Sequence, residues 1–302
     1  MPTWDKVVKE FDNLHVSHLF KAIKRLQAYT KHTTILYCTA FQQIRPTYVP
    51  PPLHSIVDTD MQGFMTCTSG VDKENLDLIL HTPGGSLEAT KEIINYLRAI
   101  YQNIRVIVPV KAMSGGTMIA CASDEILMGP YSHLGPTDPQ ILLGNQYVPV
   151  GAIIKEFNLA LESVKNEPTS ALIWKDRLKS IPVGLYQSIQ NMQNNSNKYL
   201  VELLKANMLK NDSEKDEKAL GIVQYLNNPE EHTSHGQGIN IQKLKDRHIN
   251  VTNLHDDRRF EDLVLTTYHI SSRLFQTSPV QKIIANHKGA NQIISFSPQN
   301  VQ

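Results

Sequence analysis

Apolar positions change their period along the chain, and the change marks out its elements. From Trp4 to Tyr29 they recur at Val7, Val8, Phe11, Leu14, Leu19, Ile23 and Leu26, a helical spacing that predicts an N-terminal helical arm over residues 1–30. TTILYCTAF (33–41) is rich in β formers and predicts a strand, which the prolines of PTYVPPPL (46–53) forbid from continuing. NLDLILHTPGG predicts a second strand running into a turn at 83–85. SLEATKEIINYLRAI predicts a helix capped by Ser86, with Glu88 favourable in its first turn. IRVIVPV predicts a strand, GTMIACA a short helix and EILMGP another strand. These strands are continuously apolar rather than alternating, so the expected sheet is mostly parallel and covered on both faces. The fold class is α/β.

Past residue 155 the β runs thin out. AIIKEFNLALESVK, PTSALIWKDRLKSI and VGLYQSIQNMQNNSNKYLVELLKANML all have helical periodicity, and HTSHGQGINIQKLKDRHI with HDDRRFEDLVLTTYHISSRLFQTS suggests a turn and two more helices. The expected organisation is a helical arm (1–30), a core (31–155) and a mainly helical extension (156–302) that completes the fold and offers an oligomer interface.

Composition narrows the function classes. The 30 basic residues nearly balance the 29 acidic ones, so no overall field draws the chain to nucleic acid or to an anionic membrane. No segment approaches the roughly 20 apolar residues of a membrane span, and the charged N-terminus does not resemble a secretory signal; the chain reads as cytoplasmic. Cys38, Cys67 and Cys121 are odd in number and widely spaced, as expected of reduced, buried thiols. The 12 histidines show no tight ligand spacing, and no metal or other cofactor is called for.

Two turns each follow a buried strand and precede a helix: His81-Thr82-Pro83-Gly84-Gly85-Ser86 and Ala112-Met113-Ser114-Gly115-Gly116-Thr117. Ligands bind at such strand ends in open α/β sheets, and glycine lets a backbone N–H approach them closely. Ser114 is then a candidate nucleophile, with Gly85 and Gly115 as candidate oxyanion donors. By spacing alone a plainer account stands beside this one, in which Ser114 caps a helix and the glycines serve tight turns.

LILHTPGGSLEATKEIINYL followed by VPVKAMSGGTMIACASDEILMGPYSHLGPTDPQ resembles the superfamily of Clp protease, signal peptide peptidase A and the crotonases, and most closely its serine dehydrogenase proteinase branch. The strong match covers about residues 75–141, with a weaker echo at 232–251. The resemblance implies a serine peptidase with Ser114 as nucleophile, Gly85 and Gly115 as oxyanion donors, peptide or unfolded protein as substrate, and assembly into a homo-oligomer. The branch often has alanine where this chain has Gly115, a change that keeps the N–H.

The general base is harder to assign. Some relatives place a lysine roughly forty residues after the serine, which corresponds to Lys155; the apolar run 148–154 could desolvate it. The histidine of a Clp-type triad has His133 in its neighbourhood, although by register Pro136, Thr137 and Asp138 stand nearest to it, and Asp138 is an alternative orienter of the base. Taken alone, His133, Asp138 and His235 are turn residues, and His81 holds at most a supporting place behind the Pro-Gly-Gly turn. Two other functions share the fold: an acyl-CoA enzyme, against which Ser114 argues, and a non-catalytic scaffold, which would follow if Lys155 pointed into solvent.

Overall fold

The computed structural model describes residues 14–44, 48–144, 146–179, 181–228, 231–232 and 234–297. Its first helix, α1 (Val16–Thr30), is followed by β1 (Thr33–Thr39), α2 (Asp60–Thr68), β2 (Asn75–His81), α3 (Leu87–Ile100), β3 (Asn103–Val108) and the short β4 (Lys111–Ala112). Then come α4 (Gly115–Cys121), β5 (Glu125–Met128), β6 (His133–Leu134) and the hairpin β7 (Gln140–Leu143) and β8 (Gln146–Pro149). The helices α5 (Val150–Asn166), α6 (Ala171–Lys179), α7 (Leu185–Ala206), α8 (Lys215–Asn227) and α9 (Ile241–Lys245) lead to β9 (Val251–Asn253). The chain closes with α10 (Arg258–Thr277), β10 (Val280–Asn286) and β11 (Asn291–Ser295).

The main sheet has the strand order β11-β10-β1-β2-β3-β5-β9, parallel from β1 to β9 and antiparallel where β10 meets β1 and β11. Successive side chains of its central strands enter two different cores. Leu36, Cys38, Ile79, Ile107 and Leu127 pack against α1 and α10 through Leu19, Ile23, Leu26, Val264 and Leu274. Ile35, Tyr37, Leu78, Leu80, Val106 and Val108 pack on the other face against α3, α4 and the helices beyond residue 185. This is the physical reason the inner stretches Leu78–Leu80 of β2 and Val106–Val108 of β3 are apolar at successive positions: a strand with helices on both faces has no wet side to keep polar.

Over Val16–Thr30 the N-terminal segment is a helix that packs as one of the helical layers, with Leu19, Ile23 and Leu26 fully buried; Trp4, Val7, Val8 and Phe11 lie outside the described residues. The region after 155 is helical as expected through α8, yet it also supplies three strands of the main sheet. The fully buried strand VQKIIAN inserts beside β1, so residues 31–155 do not close the sheet by themselves. Gln281, Lys282 and Asn286 interrupt its apolar run and hide it from a periodicity reading.

All three cysteines are free and buried, and burial pushes the thiols of Cys67 and Cys121 up to about 12, which keeps them as protonated, inert packing groups. Among the described residues no helix is long and apolar enough to cross a membrane.

Candidate active site

The two glycine turns are in direct contact. Thr82 N–H donates to the Lys111 carbonyl (3.1 Å) and Met113 N–H to the Thr82 carbonyl (2.9 Å), so the ends of β2 and β4 run side by side. A Cβ at Gly84, whose φ is +94°, would come within 2.7 Å of the Met113 carbonyl and 2.8 Å of the Ser114 Cβ. Only glycine fits there. Gly115 is confined too, since a Cβ would meet the Thr90 hydroxyl at 2.6 Å. That hydroxyl is held on the Ser86 carbonyl at 2.7 Å, which accounts for glycine in place of the branch's frequent alanine.

Ser114 occupies the point where β4 must turn into α4 within one residue. Its φ of 50° and ψ of −113° lie where residues with a Cβ rarely go, a conformation costing about 1–3 kcal/mol and held only when its surroundings over-determine it. Those surroundings are the Met113–Thr82 bond on one side and the helical bonds Gly116 to Met113 and Met118 to Ser114 on the other. Ser114 sits at the N-cap position but makes no capping bond with its side chain, whereas Ser86, at the start of α3, accepts from the Ala89 N–H at 3.2 Å. The cap account thus describes Ser86 and not Ser114. A strained serine on a strand-to-helix turn, with its hydroxyl left out of local bonding, is the arrangement of a nucleophile elbow.

Gly85 is pinned by a parallel bridge to Ile56: Ile56 N–H donates to the Gly84 carbonyl (2.8 Å) and Ser86 N–H to the Ile56 carbonyl (2.9 Å). This pairing leaves the Gly85 N–H outside the bridge. Gly115, the first residue of α4, likewise gives its N–H to no acceptor among the described residues. Two unspent amides therefore flank the serine.

A cavity of about 660 Å³ opens over these turns. Its walls include Pro51 to Val57 in part, the Pro-Gly-Gly turn, Ser114, Met118, Thr137, Pro139, Tyr147, Met192, Ser196 and His235. The region after residue 155 thus supplies Met192, Ser196 and His235 to the site.

His235 accounts for the largest difference from the sequence reading. Its Nδ1 lies 2.7 Å from Asp138 Oδ1, with side-chain exposures of 22% and 10%. An antiparallel bridge joins Leu134 to Ile239, each N–H donating to the other's carbonyl at 3.1 and 2.8 Å. The bridge brings the segment after Leu134 alongside the segment before Ile239, and the turn closed by Gln237 N–H on the Ser234 carbonyl (3.0 Å) carries His235, whose ring meets Asp138. An aspartate on Nδ1 fixes the tautomer and ring orientation and leaves Nε2 for the cavity. Separated by 97 positions in sequence, the two side chains carry no shared local signal.

The other candidate bases are placed elsewhere. Lys155 lies on the exposed side of α5 and is not part of the cavity wall. The apolar run before it directs Val150 and Ile153 inward onto Ile189 rather than enclosing the ammonium group. His133, in β6, packs beneath Gly238, where a Cβ would come within 2.5 Å of its ring, and it too lies outside the cavity wall. Burial, and then the charge of Lys111, hold it below the ordinary histidine range.

His81 supports the turn that follows it. It is 2% exposed, lies between the rings of Phe41 and Tyr268, and accepts the Lys111 N–H on Nδ1 at 3.3 Å, tying β2 to β4 behind the site. Burial depresses its pKa from 6.5 to about 3. The folded state therefore binds this proton less readily than the unfolded chain, and its contribution, on the order of a few kcal/mol, is complete above 6.5 and lost as pH falls toward 3. Stability measured by denaturant unfolding is expected to drop across that window, and His81→Phe, which cannot be protonated, should flatten the slope. An equal slope in both proteins would count against the assignment.

The family model for the ClpP-like SDH-type serine proteinases matches residues 20–288. The chain belongs to this family. Two uncharacterized proteins of Methanocaldococcus jannaschii are similar to this family member: one is 35% identical over 176 residues, covering 58% of this chain and 51% of the relative. The other is 36% identical over 126 residues, 41% of this chain and 43% of the relative. The chain thus spans about half the length, or less, of these curated relatives. Among solved structures, a variant of the 1510-N membrane-bound stomatin-specific protease aligns at 15% identity over 65% of this chain and 74% of that one, with a TM-score of 0.37. A variant of ClpP1 from Listeria monocytogenes aligns at 11% identity over 81% and 98%, also with a TM-score of 0.37.

Proposed function

We propose that the protein hydrolyses peptide bonds through an acyl-enzyme on Ser114, with His235 as general base and Asp138 as the group that orients it. The observation that carries this reading is the convergence on one cavity of the strained Ser114, the paired His235 and the turns bearing two unspent amides. His235 takes the hydroxyl proton on Nε2 as Ser114 Oγ attacks the carbonyl carbon, and the Gly85 and Gly115 N–H groups receive the negative charge on the carbonyl oxygen. The imidazolium, stabilised by Asp138, returns the proton to the leaving amine. Water then attacks the acyl carbon, His235 takes its proton and returns it to Ser114 Oγ as the ester bond breaks, and the acyl group leaves as a carboxylic acid that ionises in solvent.

Among the described residues the cavity wall is largely apolar, with Glu88 as its only acidic residue and no lysine or arginine. This favours an extended peptide segment over a substrate bearing several negative charges. Lys155, the alternative base, would have to reach Ser114 through a rearrangement of α5 or in an assembled oligomer.

The test is covalent labelling by a fluorophosphonate across pH 6 to 10, read by intact mass. Labelling is expected in the wild-type protein, none in Ser114→Ala, a rate lower by about three orders of magnitude in His235→Ala, and a rate close to wild type in Lys155→Ala. Loss in Lys155→Ala with retention in His235→Ala would return the base to Lys155, and a wild-type protein that never labels, assembled or not, would remove the hydrolase reading.

A further inference from the structure

Lys282 and Asp60 are both fully buried, and the ion pair they form lies behind the oxyanion turn rather than in the cavity. Lys282 Nζ donates to Asp60 Oδ1 at 2.7 Å and to Oδ2 at 2.9 Å, and its third bond goes to the Ser55 carbonyl at 2.7 Å. The carboxylate also accepts the Tyr37 hydroxyl (2.8 Å) and the Val57 N–H (3.0 Å). Every bond to the main chain therefore goes to the residues flanking Ile56. Ser55 is held by the lysine and Val57 by the aspartate, while Ile56 itself carries the bridge to Gly85.

Burying two opposite charges costs several kcal/mol in desolvation, and an apolar pair of similar volume is often as stable or more so. Stability alone thus gives little reason for an ion pair at this place. What the pair supplies is direction: it holds the peptide planes on both sides of Ile56, whose carbonyl oxygen a Cβ on Gly85 would meet at 2.2 Å.

We propose that the Lys282–Asp60 pair is a positioning device for the oxyanion hole, aiming the Gly85 N–H through Ile56. The proposal rests on the hydrolase reading for its kinetic consequence but not for its structural one. Lys282 comes from β10, near the end of the chain, Asp60 from the start of α2 and Tyr37 from β1, so three elements meet behind one amide.

The amide's alignment matters only when negative charge develops on the substrate oxygen, which separates kcat from KM. In Lys282→Met, kcat on a peptide substrate is expected to fall tenfold to a hundredfold, with KM within about twofold and affinity for a peptide boronate falling in parallel with kcat. Lys282→Arg should recover part of the loss, and Tyr37→Phe, a milder change that keeps the ion pair, should cost a few-fold in kcat. The second readout is the 15N–1H resonance of Gly85, expected to move in Lys282→Met and Tyr37→Phe while those of Gly144 and Gly289, on open turns, stay in place.

A cooperatively folded variant with an unmoved Gly85 resonance and wild-type kcat would overturn the proposal. So would losses confined to KM. If Lys282→Met does not fold, the same two readouts on Tyr37→Phe decide. An unreactive wild-type protein would overturn the hydrolase reading alone, leaving the Gly85 resonance to decide whether the pair positions the amide.

Discussion

Ser114→Gly is expected to abolish turnover and, at the same time, to raise the melting temperature. On the proposed mechanism, removing the Ser114 hydroxyl should cost at least three orders of magnitude in kcat/KM, leaving only what binding and the proposed oxyanion amides supply. The gain comes from the backbone: at φ 50° and ψ −113° a serine carries about 1–3 kcal/mol of strain that glycine does not, against about 0.5–1 kcal/mol of added chain entropy lost on folding. The balance is about 1 kcal/mol, a rise of a few degrees for a chain of this size. Ser114→Ala is the control, since it removes the hydroxyl and keeps the strain. Differential scanning calorimetry on the two variants separates the effects: a glycine variant no more stable than the alanine variant would show that the strain is not stored at this residue.

A single methyl group at Gly85 should be nearly as damaging by a different route. The added Cβ would lie 2.2 Å from the Ile56 carbonyl oxygen and 2.4 Å from its nitrogen, backbone atoms that cannot swing aside as a flexible side chain would. Gly85→Ala must therefore open the bridge that sets the amide's direction. Expected are a fall of about a hundredfold to a thousandfold in kcat, the range for losing one oxyanion donor, and a destabilisation of about 1–3 kcal/mol from the forced backbone shift. Steady-state kinetics with equilibrium unfolding checks both. A variant with wild-type kcat would mean that the Gly85 N–H does not contact the developing charge.

The two predictions share a cause, which is that the site is built from main chain more than from side chains. The Pro-Gly-Gly turn, the Ser114 turn and Ile56 are locked together by backbone hydrogen bonds between segments that are far apart in sequence. Small displacements here are costly in rate because a donor misaligned in the ground state is misaligned in the transition state too.

Much of this was legible in order along the chain. The apolar runs at 78–80 and 106–108 predicted buried parallel strands, because a strand between two helical layers must be apolar on both faces. The glycines at 84 and 85 and the Ser-Gly-Gly run at 114–116 predicted two tight strand-to-helix turns, and the motif order around them carried the family resemblance. These are local properties: period, turn chemistry and spacing within some 20 residues.

Contacts between distant segments were not legible. The pairing of His235 with Asp138 depends on the bridge from Leu134 to Ile239 and on the turn at 234–237, which bring together segments that no local pattern links. Lys282 interrupts an apolar run and hides a central strand, yet its charge is matched by Asp60, 222 positions away. Lys155 had the spacing of a base, but helix α5 turns its apolar side chains inward and leaves the lysine on the exposed side. The sequence by itself determined the parallel strands around the two turns, the turns themselves and the family resemblance, because each depends on neighbours in the chain. Which charged and titratable groups meet at the site was decided only by the tertiary structure, since a side chain's partners across space are set by register and packing rather than by its own neighbours.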